Sequence, residues 1–235
     1  MSMSFGILDP ASWDEKWKEI FDHYQHDLRH AFYIRSILEE NEKKILELGA
    51  GSFRDVGALN NWGISCDGVD FSPEAVSRAK IFFPNIQEKL HLGNCFHLKF
   101  EDKVFDLSYH NGFWGCFSND EIIDLVKEQV RVTKNRIVAT VHNAHNKSFV
   151  EYFNKLKVND PLYGLRFFYI EEIKELLYSV TKDIKIIPVG KGKKYYEDDL
   201  INNGLGSPEN LKRSFEFNQL NLLEISERLM CIGNL

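Results

Sequence analysis

Apolar side chains recur along the chain with two spacings that alternate. From residue 9 to residue 40, large apolar residues such as Trp13, Trp17 and Phe21 follow at three- and four-residue steps, which predicts one long helix. Short apolar runs bounded by glycine or polar residues predict strands at 44–48, 65–70, 89–92, 104–109, 136–141, 184–189 and 228–232. Helical spacing between them predicts helices at 55–62, after an N-cap at Ser72, at 119–133 with Asn119 as cap, at 147–157 and at 170–180.

This alternation predicts the fold class. Strands that alternate with helices form a parallel α/β sheet with helices on both faces. The 235 residues suffice for one sizeable domain, so we predict a single domain over 1–235 with an N-terminal helical cap at 9–40. Two long segments, 142–168 and 190–227, interrupt the alternation, and we interpret them as insertions that form either walls of a site or surface decoration.

A glycine loop, Glu47 to Asp55, joins the first predicted strand to the next helix. Gly49 and Gly51 allow a sharp turn and close approach to a ligand, and the helix that follows directs its free N–H groups to the same place. A dinucleotide-binding loop needs a third glycine at the position of Arg54. A P-loop needs a Gly-Lys-Ser/Thr that does not follow, so this class of site is excluded.

Two carboxylates narrow the choice of ligand. Glu47 stands two residues before the first glycine, where it would repel a pyrophosphate and suit a cationic amino group. Asp70 ends the second strand, at the distance from Gly49 where an acid accepts hydrogen bonds from the hydroxyls of an unphosphorylated ribose. The loop and the two acids predict that residues 44–70 form a Rossmann-like β-α-β unit for an adenosine-bearing cofactor. An NAD-dependent oxidoreductase remains an alternative.

Four segments between residues 40 and 145 resemble the class I S-adenosylmethionine-dependent methyltransferases of the small seven-stranded type. They read ILELGAGSFRD, GVDFSPEAV, LHLGNCFHLKF and FDLSYHNGFWGCFS. The resemblance implies a Rossmann-like three-layer sandwich, whose seven-stranded, mostly parallel sheet ends in one antiparallel C-terminal strand. It also implies that S-adenosylmethionine is the cofactor and that its methyl group is transferred by in-line displacement. Phe53 stands where the family's first motif has its third glycine.

The same resemblance implies a set of cofactor contacts. Glu47 would organise the site near the methionine amino group, and Asp70 would bind the ribose. The loop would pass beneath the methionine part, and the N-terminal helix would fold over it. The complete set of expected cofactor residues is Tyr33, Glu47, Gly49, Ala50, Gly51, Asp70, Phe71, Asn94, Cys95, Phe96, Tyr109 and His110.

Methyl transfer needs a base only when the acceptor keeps its proton at neutral pH. His110 follows the fourth predicted strand, and His142 and His145 follow the fifth, so all three should lie at the carboxyl edge of the sheet. We hypothesise that at least one assists the acceptor, because histidine exchanges protons near neutral pH. The alternatives are a packing role for His110 and helix capping for the other two. No metal site is expected, either here or on the N-terminal helix at His23, His26 and His30.

Charge and composition limit the acceptor. The net charge of −6 argues against broad binding of nucleic acid, and the short basic cluster from Lys191 to Lys194 is the exception to this pattern. Phe113, Trp114 and Phe117 follow the fourth strand closely enough to line an acceptor pocket. We expect a small-molecule or metabolite acceptor. A protein or RNA methyltransferase and a non-catalytic S-adenosylmethionine-binding protein remain alternatives.

The four cysteines form no CxxC pair, which fits a reduced compartment. We see no signal peptide and no apolar run near the ~20 residues that span a bilayer. The sequence therefore predicts a cytoplasmic protein without membrane contact, and it gives no indication of the oligomeric state.

Overall fold

The computed structural model describes residues 10–190 and 222–235, and a single β-sheet runs through its centre. The strands are β1 Lys44–Leu48, β2 Ser65–Asp70, β3 Leu90–Leu92, β4 Phe105–Asn111, β5 Thr133–Asn143, β6 Phe167–Phe168, β7 Ile184–Val189 and β8 Arg228–Asn234. Their order across the sheet is β3-β2-β1-β4-β5-β8-β7, and the two-residue β6 pairs with the end of β5.

Strand direction confirms the predicted topology. β8 runs antiparallel to β5 and to β7, whereas the described pairs among β1 to β6 are parallel. The seven-stranded, mostly parallel sheet with one antiparallel C-terminal strand is thus confirmed, and β6 is an addition to it. The strand order reverses between β1 and β4, and ligands of such sheets bind at the carboxyl ends beside this reversal.

Helices cover both faces of the sheet. They are α1 Pro10–Ile20, α2 Arg29–Ile37, α3 Arg54–Asn61, α4 Pro73–Phe82, α5 Asn119–Val132, α6 Lys147–Leu156 and α7 Ile170–Leu177. Neighbouring side chains of a strand point to opposite faces, so Ile45 belongs to the core beneath α2 and α3, and Leu46 belongs to the core beneath α5 and α7. The two apolar layers hold the carboxyl ends of β1, β2, β4 and β5 at one edge.

The prediction of one continuous helix over 9–40 is wrong. α1 ends at Ile20, a short 3-10 turn occupies His23–Gln25, and α2 begins at Arg29. The break lets α1 pack against α4 while α2 packs against α3. The apolar spacing is helical on both sides of the break, so local sequence gave no signal for a turn that tertiary packing imposes. The three histidines His23, His26 and His30 therefore do not share one helix face.

Two predicted element ends also move. Ser118, and not Asn119, caps α5: its hydroxyl accepts a hydrogen bond from the Glu121 N–H, and the Glu121 carboxylate accepts one from the Ser118 N–H at 2.9 Å. This reciprocal pair is a capping box, which fixes the start of a helix more strongly than a single polar residue.

β5 extends to Asn143, so the predicted insertion at 142–168 begins inside a strand and contains α6 and β6. Most of the second predicted insertion, 190–227, lies outside the described residues, as does the whole basic cluster 191–194. In the parts of the chain that the structure describes, no helix combines the length and apolar character needed to cross a membrane.

Candidate functional site

The loop after β1 turns through left-handed backbone at Gly49 (φ 61°) and Gly51 (φ 53°). Both positions also require glycine for lack of space. A Cβ atom on Gly49 would lie 2.5 Å from the Phe113 ring, and one on Gly51 would lie 2.4 Å from the Trp17 ring. Two aromatic side chains from distant parts of the chain therefore rest directly on the loop backbone.

Phe53, at the third glycine position of the family motif, is also left-handed (φ 55°) and fully buried. Its ring lies against Gly68 of β2, where an added Cβ atom would come within 2.8 Å of it. A left-handed residue other than glycine is strained by about 1 kcal/mol or more. The packing of the ring into the space above Gly68 offsets that strain and seats α3 on the sheet.

Asp70 ends β2 beside the loop and holds it in place. One carboxylate oxygen accepts a hydrogen bond from the Gly51 N–H at 2.8 Å, and the other accepts one from the Ser72 N–H at 2.9 Å. Burial raises the pKa of Asp70 to about 6, although these backbone hydrogen bonds act in the opposite direction. The carboxylate is thus buried and oriented, with lone pairs left for a ligand.

A buried polar network lies behind the loop. Asp55, in the first turn of α3, accepts a hydrogen bond from Arg54 Nε at 2.8 Å and contacts His30 Nδ1 at 2.7 Å. His30 Nε2 lies 3.0 Å from the Thr140 hydroxyl. Glu47, His30 and Asp55 are close enough to share a metal ion. Because both nitrogens of His30 are already engaged, the arrangement is that of a hydrogen-bond network.

Glu47 adjoins this network with one carboxylate oxygen unsatisfied. Its Oε2 atom is buried and has no hydrogen-bond partner among the described residues. Desolvation raises the pKa of Glu47 well above its usual value, and the negative charge of Asp55 adds to the effect. A buried acceptor without a donor is costly, so Glu47 is suited to a ligand that brings a donor or a positive charge.

The residues that line a cavity beside the loop are of two chemical kinds. The glycine loop with Glu47, Asp55 and Asp70 forms the polar part of the lining, which we call the loop half. Large apolar side chains, together with His142 and Arg228, form the rest, which we call the apolar half; they are Phe113, Phe117, Phe153, Leu162, Tyr163 and Leu165. Trp13, Trp17 and Tyr24 close the cavity from the N-terminal side.

Polar contacts hold α1 over the cavity, on one side to the start of α4 and on the other to the segment after α6. One oxygen of Asp14 accepts hydrogen bonds from the Ser72 hydroxyl at 2.6 Å and from the Glu74 N–H at 3.0 Å. Lys16 Nζ donates to Asp160, in the segment after α6, at 3.2 Å. α1 thus connects the start of α4 to the insertion and forms a roof over the loop.

Half of the predicted cofactor residues line this cavity. Those that do are Glu47, Gly49, Ala50, Gly51, Asp70 and Phe71, and those that do not are Tyr33, Asn94, Cys95, Phe96, Tyr109 and His110. Cys95 lies under the loop, with the Gly49 N–H directed at its sulfur. Tyr33 lines a second, polar cavity next to the first.

Tyr109 and His110 lie within β4 and away from the cavity, because β4 is longer than predicted. The strand ends at Asn111, so the two side chains point to its two faces, and Asn111, Gly112 and Phe113 line the cavity instead. The His110 ring lies 5.0 Å from that of Trp114, with both nitrogens buried and without partners among the described residues. Burial lowers the pKa of His110 to about 3.

Of the three predicted catalytic histidines, His142 lines the cavity. It is buried near the end of β5, its Nδ1 atom lies 3.5 Å from the Arg228 guanidinium, and desolvation lowers its pKa well below 6.5. His145 instead accepts a hydrogen bond from the Ile170 N–H at 3.3 Å, at the start of α7. The alternative for His145 was capping of the next helix, but Asn146 caps that helix, α6, and His145 contacts the start of α7 instead.

Sequence reasoning missed several residues of the site, chiefly Trp17, Arg54, Asp55 and Arg228. Asp55 carried a usable signal, because an acid in the first turn after a glycine loop is placed next to the ligand. Trp17 showed only the spacing of a buried helix face. Arg228 opens a strand, and nothing in its neighbourhood in the sequence relates it to the loop.

Comparisons with known proteins agree with this geometry. Residues 46–137 match the family model of a methyltransferase domain. A comparison with curated protein sequences found no significant match.

Three of the solved structures similar to this chain match it over most of its length. An S-adenosylmethionine-dependent methyltransferase from Archaeoglobus fulgidus is 16% identical, with 95% of this chain and 98% of that chain covered and a TM-score of 0.64. The plantazolicin methyltransferase BamL, in complex with a triazolic desmethylPZN analog and S-adenosylhomocysteine, is 17% identical, with 97% and 94% covered and a TM-score of 0.67. A Haloferax volcanii methyltransferase, in complex with the activator Trm112, is 16% identical, with 94% and 96% covered and a TM-score of 0.61.

At such low identity the structures establish the fold, and the matched domain covers the loop, Asp70 and β4. The fold, the family match over residues 46–137 and the glycine loop with its two acids agree, and this part of the chain is a methyltransferase domain.

Proposed function

We propose that this enzyme transfers the methyl group of S-adenosylmethionine to a small-molecule acceptor held in the apolar half of the cavity. The observation that carries the proposal is that one cavity is lined both by the carboxylates at the glycine loop and by a set of aromatic side chains, with Phe113 resting on Gly49 where the two sets adjoin. A donor and an acceptor in adjoining halves would be aligned, which is the main requirement for displacement at an activated methyl group.

The loop half fits the cofactor. The unsatisfied Glu47 oxygen would accept from the methionine amino group, and Asp70 would accept from the ribose hydroxyls. Gly49 and Gly51 would let the backbone run directly beneath the methionine part. When bound, S-adenosylmethionine supplies a methyl group already activated by its sulfonium, so these residues need only bind and orient it. Relatives of similar fold were crystallised with S-adenosylhomocysteine, which supports this assignment.

The apolar half favours a small acceptor. Residues of α1, of the turn after β4 and of the segment around α6 line it, and their apolar side chains suit a small apolar molecule. Trp17 of α1 also rests on the loop at Gly51, which leaves less room for a folded protein or an RNA helix. We therefore prefer a metabolite acceptor to the protein and RNA alternatives.

The histidine hypothesis is reduced to His142, because it is the member of the three that lines the cavity. A pKa well below 6.5 makes His142 neutral and a weak base at pH 7. We propose that alignment, and not proton removal by histidine, supplies most of the rate. The acceptor would then be a group that is already deprotonated, or that loses its proton to water.

Binding of S-adenosylhomocysteine tests the cofactor assignment. Calorimetric titration should show one site, and Asp70→Asn should weaken the affinity about ten- to hundredfold, the range for hydrogen bonds to a charged group. Asp67→Asn is the matched control: Asp67 lies on the same strand but pairs with His91 outside the cavity, so the affinity should not change. A folded protein that binds NAD but not S-adenosylhomocysteine would contradict the proposal.

Turnover is measured separately, with methyl-labelled S-adenosylmethionine and a panel of metabolites. Label transfer to at least one small molecule is expected. Binding without transfer to any member of the panel would favour the non-catalytic alternative, and transfer to protein or RNA alone would favour those acceptors.

A further inference from the structure

Charged side chains of both signs line the cavity. Three carboxylates, those of Glu47, Asp55 and Asp70, belong to the loop half. Two arginines also line the cavity, but Arg54 is paired with Asp55 at 2.8 Å, and its charge is therefore compensated. Arg228 contacts His142, whose ring lies 5.2 Å from that of Phe153 in the apolar half. Among the described residues, Glu227 acts on Arg228 through its charge, but no carboxylate lies within ion-pair distance of the guanidinium.

The structure makes room for the Arg228 guanidinium at the carboxyl ends of β4 and β5. Gly112, in the turn after β4, has left-handed backbone (φ 78°), and a Cβ atom there would lie 2.8 Å from the nearer terminal nitrogen of Arg228. The same nitrogen lies 3.5 Å from His142 Nδ1. Because a guanidinium only donates hydrogen bonds, His142 must accept here, and it is a positioning residue for Arg228.

The charge of Arg228 is only partly compensated by the described residues. Burial lowers its pKa, and the charge of Glu227 acts in the opposite direction without reversing the shift. A buried cation that has no ion-paired carboxylate among these residues is costly, and a ligand that brings a negative charge lowers that cost. Arginine also binds planar acidic groups with two parallel hydrogen bonds.

We propose that the methyl acceptor is an aromatic or otherwise apolar molecule that carries an acidic group, and that Arg228 binds this group. Phe113, Phe117, Phe153 and Tyr163 would pack against its apolar body. This inference rests on the proposed function, because it takes the loop half to be the cofactor site and the apolar half to be the acceptor site. The rival ligand for Arg228 is the carboxylate of the cofactor itself.

The test uses small aromatic probe ligands that differ in the charge of their polar group. With S-adenosylhomocysteine present at saturation, 3-phenylpropionate, benzylphosphonate and the neutral 3-phenylpropanamide are titrated at pH 7. We expect the better of the two acids to bind at least about tenfold more tightly than the amide, the lower limit for a charge-assisted hydrogen bond. Which acid is preferred distinguishes a carboxylate acceptor from a phosphate-like one.

Arg228→Met should bring the acid-to-amide affinity ratio to about one, because it weakens binding of the acid far more than binding of the amide. Arg35→Met is the control, because Arg35 stacks on Trp62 away from the cavity. His142→Leu should lower the ratio, and His142→Asn, which keeps an acceptor near the position of Nδ1, should restore part of it. A purely structural role for His142 would weaken acid and amide binding equally.

Three results would overturn the inference: equal binding of acid and amide by the unmodified protein, no binding of any probe, or an unchanged ratio in Arg228→Met. The rival is tested with 5′-methylthioadenosine, which lacks the cofactor's carboxylate. If Arg228→Met weakens S-adenosylhomocysteine binding but not methylthioadenosine binding, Arg228 serves the cofactor and the inference fails, while the proposed function stands. If the unmodified protein binds neither S-adenosylhomocysteine nor methylthioadenosine, the proposed function itself is contradicted.

Discussion

Two glycines with the same kind of backbone differ in what surrounds them. Gly51 and Gly63 both have left-handed backbone, at φ 53° and 81°, but a Cβ atom on Gly51 would meet Trp17, whereas one on Gly63 would meet nothing within 4 Å. Substituting each of the two glycines therefore distinguishes the cost of backbone strain from the cost of crowding. Asp70 also allows a prediction at this scale, because both burial and a bound ligand would change the pKa of its carboxyl group.

Gly51→Ala should destabilise the protein more than Gly63→Ala. Both substitutions carry the backbone cost of about 1–2 kcal/mol, and Gly51→Ala adds about 1–3 kcal/mol because the new methyl group displaces the Trp17 ring. The free energy of unfolding, measured in urea, checks this difference. Equal losses would mean that Trp17 does not rest on the loop in solution.

The affinity for S-adenosylhomocysteine should rise as the pH increases through about 6. The pKa of Asp70 is raised from 3.8 to about 6, so the folded chain binds this proton more tightly than the unfolded chain does. Between pH 4 and 6, ionisation of Asp70 therefore lowers the stability of the unliganded protein. The same ionisation creates the better acceptor for ribose hydroxyls.

Titrations between pH 5 and 7.5 measure this dependence. Asp70→Asn should remove the step near pH 6, and Asp67→Asn should keep it. A step that survives in Asp70→Asn would assign the titration to another group.

At the scale of elements, the sequence predicted most strands and helices closely, and it missed the break in the N-terminal helix, the short β6 and the full lengths of β4 and β5. Buried strands such as β1 carry their signal in a few adjacent residues. The division of the N-terminal helix and the extension of β4 to Asn111 depend on contacts with distant elements, which no local spacing encodes. For the same reason the glycine loop and Asp70 could be placed from the sequence, whereas Trp17 and Arg228 could not.

The position of α1 over the loop depends on the hydrogen bonds of Asp14. Asp14→Asn should weaken the two hydrogen bonds that fix α1 to the start of α4, because the neutral amide is a poorer acceptor than a carboxylate. We expect faster proteolysis or hydrogen exchange within residues 10–20, and lower affinity for S-adenosylhomocysteine. Glu15→Gln is the control, since Glu15 pairs with Lys18 on the exposed face of the same helix. Identical exchange in both variants would show that Asp14 does not fix α1.

At the scale of the whole molecule, a buried ion pair lies at the end of the sheet opposite the candidate site. The cavity of that site lies at the carboxyl ends of the strands. At the other edge, Arg136 near the start of β5 donates to Glu42 at 2.7 Å and to the Ile37 carbonyl at 2.7 Å, which ties the end of α2 to the sheet. Both side chains are buried, so the pair is screened little by solvent.

Arg136→Met should cost about 3–5 kcal/mol of unfolding free energy, because it leaves Glu42 buried without its partner. The double variant Arg136→Met with Glu42→Leu should recover most of that loss. Affinity for S-adenosylhomocysteine should stay unchanged in the folded fraction of both. Chemical denaturation measures the first two expectations and calorimetry the third. A double variant as unstable as the single one would show that the lost packing, and not the orphaned charge, carries the cost.

The contact between Phe53 and Gly68 affects which sequence patterns would detect a methyltransferase domain with this kind of loop. The close approach of α3 to the sheet still requires one residue without a side chain, but that residue lies on β2 and not in the loop. A search pattern that demands glycine at position 53 would pass over chains built in this way. A pattern that accepts either a glycine in the loop or an aromatic residue there with glycine at the facing strand position would retain them.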